Sequence, residues 1–148
     1  MNCSVRFISA EETVAVRLPI LRAGMPREAA IFPGDDAPET RHFGGFQHGA
    51  LVGVATLLRA PLPERPEVAE AWQLRGMATL PEVRGLRCGS ALMRTCLEHA
   101  RAEGGALLWC NARSPAVAFY RRHGLETMGE EFNIPTAGPH FRMAIALR

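Results

Sequence analysis

The sequence predicts a mixed α/β (α+β) domain built on a central sheet, and three observations carry that prediction. Apolar stretches of strand length recur at 40–46, 50–59, 70–79 and 106–111. Segments with helix-start signals and helical spacing lie at 9–22, 88–103 and 114–123. The resulting order, β-α-β-β-β-α-β-α-β-β, is neither the strict alternation of a doubly wound sheet nor an all-β chain. A length of 148 residues suits one buried core, so residues 1–148 are expected to form a single domain.

Each element has a local reason. Residues 3–8 open as a strand, with Val5 and Phe7 alternating against Arg6. Ser9-x-x-Glu12 is a capping box, whose hydroxyl and carboxylate satisfy N–H groups at a helix start. The helix runs to about Arg22 with Val14, Leu18 and Leu21 expected on one face. Pro19 lacks an N–H and is expected to kink this helix or divide it. Residues 24–38 form an irregular loop with the turn signal Pro33-Gly34-Asp35-Asp36, long enough to be a binding element. The strands at 40–46 and 50–59 make a hairpin across Gln47-His48-Gly49, the second rich in Leu51, Val52, Val54, Leu57 and Leu58. A proline-rich loop precedes the 70–79 strand. Two last strands, near 125–132 and 140–147, join through Pro135 to Pro139. There is no repeat, linker or low-complexity tract.

The most informative segment joins the 70–79 strand to the 88–103 helix. A basic, glycine-containing loop, Arg84-Gly85-Leu86-Arg87-Cys88-Gly89-Ser90, leads into the helix start. Such a junction points backbone N–H groups and the positive end of a helix at one spot, which suits phosphate. Further on, Asn111 is expected to end a strand, and Ser114-Pro115 opens a helix bearing the chain's only tyrosine, Tyr120.

These residues resemble the GNAT superfamily, the Gcn5-related N-acetyltransferases. That family's cofactor signature is Arg or Gln, two residues, Gly, one residue, then Gly or Ala, between a strand and a helix. Arg84 to Ser90 fits it with one departure, Arg87 in place of the first glycine. A second family segment appears as Ala116-Val117-Ala118-Phe119-Tyr120 followed by Gly124-Leu125, with Leu125 in place of the usual Phe. Gly129-Glu130-Glu131-Phe132 and Gly138-Pro139-His140-Phe141-Arg142-Met143 resemble the tail of the ElaA-like branch. The resemblance covers residues 70–147 well, and the element order extends it to the whole chain.

The resemblance implies a mostly antiparallel sheet flanked by helices, splayed between its fourth and fifth strands to admit acetyl-CoA as co-substrate. It also implies roles. Arg84, Gly85, Leu86, Arg87, Cys88, Gly89 and Ser90 would bind the pyrophosphate. Met77, Ala78 and Thr79 would hold the pantetheine arm, with one N–H at the thioester carbonyl, a donor commonly worth about 3 kcal/mol. Asn111 would bind the pantetheine amide or cap a strand end, and Ala116 and Phe119 would line the cofactor. Tyr120 would lie near the thioester sulfur. Proton transfer from a phenol of pKa about 10 to a thiolate of about 8.5 is uphill by roughly 2 kcal/mol, so hydrogen bonding to the departing sulfur is an equal reading. An amine arrives protonated and needs a base. His140 and Glu131 are the leading candidates, beside His42, Glu70 and Glu130, while His48 and His123 sit where surface roles are expected. Arg87 costs little if its φ is helical and strains the loop if its φ is positive.

Two functions follow. One is an acetyltransferase acting on a primary amine of a small molecule or peptide. The other is a non-catalytic acyl-CoA-binding module, which only Arg87 favours. A nucleotide-binding reading fails, because no G-x-G-x-x-G or Walker lysine occurs. Net charge of +2 gives no case for nucleic acid as a partner. No apolar run approaches the roughly 18 residues of a membrane span, and the N-terminus lacks signal-peptide character, so a cytoplasmic protein away from membranes is expected. A homodimer stays open. Cys3, Cys88, Cys96 and Cys110 have neither zinc spacing nor a C-x-x-C pair, so no metal is expected. Cys96 and Cys110 read as buried reduced thiols and Cys88, in the loop itself, as the one thiol to test for reactivity. In the 24–38 loop, Asp35 and Asp36 could meet a cationic amine or form an ordinary solvated turn, and Arg22 and Arg27 balance them.

Overall fold

The computed structural model describes residues 3–84 and 87–148. The strands are β1 (Ser4–Ile8), β2 (Arg41–Gln47), β3 (Ala50–Arg59), β4 (Ala71–Thr79), β5 (Leu107–Arg113), β6 (Glu126–Ile134) and β7 (Gly138–Ala146). The helices are α1 (Ala10–Leu21), α2 (Cys88–Ala102) and α3 (Val117–Arg122), with 3-10 turns at Arg27–Ala30, Pro81–Val83 and Ser114–Ala116. The sheet is seven-stranded and mostly antiparallel, in the order β1-β2-β3-β4-β5-β7-β6. Both the predicted element order and the mixed α/β class are found. No helix among the described residues is long and apolar enough to cross a membrane. The chain divides into two compact units, Met1–Leu58 with Leu74–Cys96, and Arg59–Gln73 with Leu97–Arg148.

In the first unit the capping box forms as expected: Ser9 Oγ accepts from Glu12 N–H at 3.1 Å, and Glu12 Oε1 from Ser9 N–H at 2.8 Å. Pro19 does not divide the helix, since α1 runs through it to Leu21. The expected face meets the core in part, with Val14 buried and Leu21 packed half-buried against the core cluster. Thr13, Val14, Val16 and Arg17 are buried, whereas Leu18 and Leu21 are only half-buried. Val16 packs with Val54 and Ala78, and around them lie Ile8, Ile20 and Leu51. The β2–β3 hairpin is tighter than expected. Gln47 pairs with Ala50, which leaves a two-residue turn at His48 and Gly49 with φ of 51° and 79°. Positive φ at both central residues matches the right-handed strand twist.

In the second unit β7 pairs antiparallel with both β5 and β6. Leu62, Ala71, Leu107 and Trp109 form its packed cluster. Trp109 donates its indole N–H to the carbonyl of Ala60 at 2.9 Å, so a buried polar atom is satisfied. β5 continues to Arg113, so Asn111 lies inside the strand and does not end it.

The cysteine reading is partly corrected. Cys96 and Cys110 are buried and unbonded, and burial alone raises both thiol pKa values, that of Cys110 to about 12. Cys88, expected to be a free loop thiol, is instead bonded to Cys3, 85 residues away in sequence, with Cα atoms 5.2 Å apart. Cys88 is 1% exposed and packs with Val52 and Val83.

Candidate active site

The first unit carries the strand–loop–helix junction. β4 ends at Thr79, a 3-10 turn follows at Pro81–Val83, and α2 begins at Cys88. Ala91 N–H donates to Arg87 O at 3.0 Å, so Arg87 occupies the cap of α2. Its φ is +68°. The left-handed region costs a side chain about 1–2 kcal/mol, so the strained alternative for Arg87 is the one the chain adopts. Arg84 and Arg87 are both exposed, and Arg84 donates to Thr79 O at 3.3 Å. Gly89 and Ser90 are half-buried in the first turn of α2. Gly85 and Leu86 lie outside the described residues. Exposed guanidinium groups beside a helix start are a suitable donor set for a pyrophosphate.

On β4, Ala78 is buried and Met77 and Thr79 are half-buried. Gly76, just before them, has φ +62° within the strand. A left-handed glycine inside a strand interrupts alternation and re-aims the next amides. Sequence reading passed over Gly76, although an isolated glycine in a strand pattern is the signal for it.

A buried charged cluster lies under the 24–38 loop and was also missed. Arg17 on α1 is fully buried. Its Nη1 donates to Asp35 Oδ2 at 2.6 Å and Ala30 O at 3.0 Å, and its Nη2 to Asp35 Oδ1 at 3.2 Å and Thr56 Oγ1 at 2.7 Å. Arg75 on β4 donates through Nη2 to Asp35 Oδ1 at 3.0 Å and to Pro33 O. Phe32 N–H donates to Asp35 Oδ2 at 2.9 Å. Burial pushes the Asp35 pKa up, but the bonds from Arg17, Phe32 and Arg75 outweigh it and leave the pKa lowered. Asp35 is therefore neither a solvated turn residue nor available to a cationic amine, while Asp36 is exposed.

His42 belongs to this cluster. Its Nδ1 lies 2.8 Å from Thr56 Oγ1 and its Nε2 2.8 Å from Asp35 O. A carbonyl only accepts, so Nε2 carries the proton, and the Thr56 hydroxyl donates to Nδ1. Desolvation is the main cause of its lowered pKa, so the ring is neutral with both nitrogens engaged. This geometry gives His42 a structural task, not that of a proton acceptor.

In the second unit, Tyr120 is 8% exposed on α3 and stands edge-on to Phe119, ring centroids 5.1 Å apart. The register sets Arg113 of β5 opposite His140 of β7, and His140 opposite Phe132 of β6. Ser114 Oγ donates to Glu131 Oε2 at 2.6 Å. Thus Ser114, Glu131 and His140 gather at the end of β5 from which the turn into α3 departs. His140 is 4% exposed, and its Nδ1 lies 2.7 Å from Gly138 O. Nδ1 must donate there, which leaves Nε2 as the ring atom that can accept a proton. Asn111 Oδ1 accepts from Arg142, which also binds Glu64 at 3.0 Å and lies over the rings of Trp109 and Phe132. Ala116 and Phe119 are half-buried. Of the other carboxylates, Glu130 is exposed and Glu70 lies 4.0 Å from Arg148. Among the described residues no group of three or more His, Cys, Asp or Glu is arranged to hold a metal ion.

Comparison with known proteins adds to this geometry. The model of the acetyltransferase (GNAT) family matches residues 12–125. The uncharacterized N-acetyltransferase YitI of Bacillus subtilis (strain 168) is 38% identical over 145 residues, covering 97% of this chain and 96% of that protein. The crystal structure of Escherichia coli ElaA has a TM-score of 0.78 at 19% identity, covering 97% of this chain and 99% of that one. The ribosomal-protein-S18-alanine N-acetyltransferase from Escherichia coli has a TM-score of 0.77 at 15% identity, covering 99% of this chain and 94% of that one. At these identities the solved structures speak for the fold.

Proposed function

The chain belongs to the acetyltransferase (GNAT) family and is an acyltransferase, and on that premise we propose that it transfers an acetyl group from acetyl-CoA to a primary amine of a small molecule or peptide. The observation that carries the reading is the junction of β4, the arginine-bearing loop and the start of α2. It is the arrangement that presents N–H groups and cations to a pyrophosphate, and it falls on the family's cofactor signature. We take residues 1–148 as a single acetyltransferase domain. A cytoplasmic location belongs to the same proposal.

In this reading Arg84, Arg87, Gly89 and Ser90, with the backbone of Gly85, Leu86 and Cys88, hold the pyrophosphate. Met77, Ala78 and Thr79 hold the pantetheine arm with Asn111, and Ala116 and Phe119 pack beside it. When bound, acetyl-CoA supplies a thioester already activated toward amines, so the protein has to position, deprotonate and protonate. His140 Nε2 takes the amine proton, and Glu131, held by Ser114, supports the positive charge that results. An N–H of the Met77–Thr79 segment donates to the carbonyl oxygen. The Tyr120 hydroxyl donates to the sulfur as the C–S bond breaks. No metal has a part in these steps.

The test is free-thiol release from acetyl-CoA by the purified protein with a panel of amines. Amine-dependent release, with mass spectrometry showing one acetyl group gained by the amine, is the expected result. Tight CoA binding with no release for any amine would overturn the reading.

A further inference from the structure

The charges under the 24–38 loop do not balance. Arg17 and Arg75 share one carboxylate, that of Asp35. His42 is neutral there because burial lowers its pKa. Two guanidinium groups against one carboxylate leave one positive charge in excess. Glu28 and Asp36 are exposed, and Glu11 pairs with Arg27 at the surface.

The two arginines are finished differently. Arg17 has no exposed side-chain surface and four hydrogen bonds on its two terminal nitrogens. Arg75 keeps 20% of its side chain exposed and makes its bonds through Nη2 alone. Its Nε is buried without a hydrogen-bond partner, as is that of Arg17, so the two differ in exposure and in the Nη1 that Arg75 leaves unused. A guanidinium carries five N–H donors in a planar fork, so Arg75 retains unused donors beside an accessible edge. Its pKa is lowered, chiefly by burial, while the Asp35 carboxylate works against that shift and the neighbouring Arg17 adds to it. Phe32 gives the place a flat apolar wall, with the guanidinium carbons of Arg17, Arg22 and Arg75 at 4.0, 5.0 and 5.6 Å from its ring centre.

Arg75 also stands at a telling position. It precedes the left-handed Gly76 and lies two residues before Met77. Two residues of strand span about 7 Å, the length of a small molecule. We infer that Arg75 binds a carboxylate on the acceptor, so that the acceptor is an amine bearing a carboxylate a few bonds from its nitrogen, of the amino-acid class. This substrate class rests on the acetyl-transfer reading above. A polyamine or other multiply cationic amine would meet repulsion from the same excess charge.

The experiment compares matched pairs, a set of α-amino acids and their α-amides, as acceptors with saturating acetyl-CoA. The acids are expected to exceed their amides in kcat/KM by about tenfold to a hundredfold, the worth of one charge-assisted contact. In Arg75→Gln the acid-to-amide ratio collapses toward one, and Arg75→Lys, which keeps the charge but not the fork, restores part of it. Circular dichroism melting shows whether each variant is folded, and if the Gln form is not, the wild-type ratio and the Lys variant decide. Equal use of acids and amides, or an unchanged ratio in folded Arg75→Gln, overturns the inference while leaving acetyl transfer standing. If no amine supports thiol release, transfer itself has failed. The inference is then judged by calorimetric titration of the CoA-loaded protein with N-acetyl amino acids and their amides. Tighter binding of the acids, lost in Arg75→Gln, supports it, and equal or absent binding overturns it.

Discussion

Asp35→Asn is the sharpest perturbation of the buried cluster. Asp35 Oδ2 accepts from Arg17 and Phe32, and Oδ1 from Arg17 and Arg75. Asparagine keeps the shape but turns one oxygen into a donor. Whichever oxygen is lost, two N–H groups face an NH2, and at least one belongs to a guanidinium. A hydrogen bond to a charged group is worth about 1.5–3 kcal/mol, and removing one partner of a buried ion pair costs about 3–5 kcal/mol. Both routes give a loss of about 4 kcal/mol, a large share of the roughly 5–15 kcal/mol that holds a domain folded. Urea unfolding followed by far-ultraviolet circular dichroism measures it directly. The pH dependence supplies a second check. The folded-state pKa of Asp35 is lowered, so its stabilisation is present above the ordinary value of 3.8 and is lost as pH falls through the depressed folded value. The gap between wild type and variant should therefore be full at neutral pH and close in acid below that value. A loss under about 1 kcal/mol at neutral pH, the scale of an exposed pair, would refute the reasoning.

Tyr120→Phe should lower kcat by about tenfold to a thousandfold with little change in the Michaelis constant for acetyl-CoA, because the hydroxyl acts only as the C–S bond breaks. Wild-type turnover under conditions where chemistry limits the rate would make Tyr120 a packing residue. Gly89→Glu places a carboxylate in the first turn of α2, against the proposed pyrophosphate, and should abolish CoA binding by calorimetry; retained affinity would move the phosphate site elsewhere. Thiol titration of the protein denatured without reductant should find the sulfhydryls of Cys96 and Cys110 only, and those of Cys3 and Cys88 as well after reduction. Reactivity of all four before reduction would rule out the bond in the purified protein. If the bond is present, closing so long a loop stabilises the fold by about 4–5 kcal/mol in the chain-entropy account, seen as a lower urea midpoint in Cys3→Ser.

What the sequence alone determined is what depends on neighbours along the chain. The capping box at Ser9 and Glu12, the apolar runs of β3 and β4, and the turn signals at His48-Gly49 and Pro135–Pro139 act over a few residues, so the element order was legible. The arginine-glycine loop before α2 and the Tyr120 segment were legible for the same reason, as short motifs between recognisable elements. The tertiary structure decided what depends on partners far apart. Arg17 looks like a surface residue of an amphipathic helix until Asp35, 18 positions on, and Thr56, 39 positions on, meet it. Only burial with those partners makes a charge tolerable inside, and it adds Arg17 to the buried side of α1. Asp35 reads as a turn residue because its two arginines lie on other elements, and so its burial was not legible. The Cys3–Cys88 bond spans 85 residues, and no spacing rule reaches that far. Arg142 holds Asn111 from the next strand because the register places them opposite one another. A one-residue slip would send every side chain of a strand to the other face, and that choice is made by packing across the whole sheet.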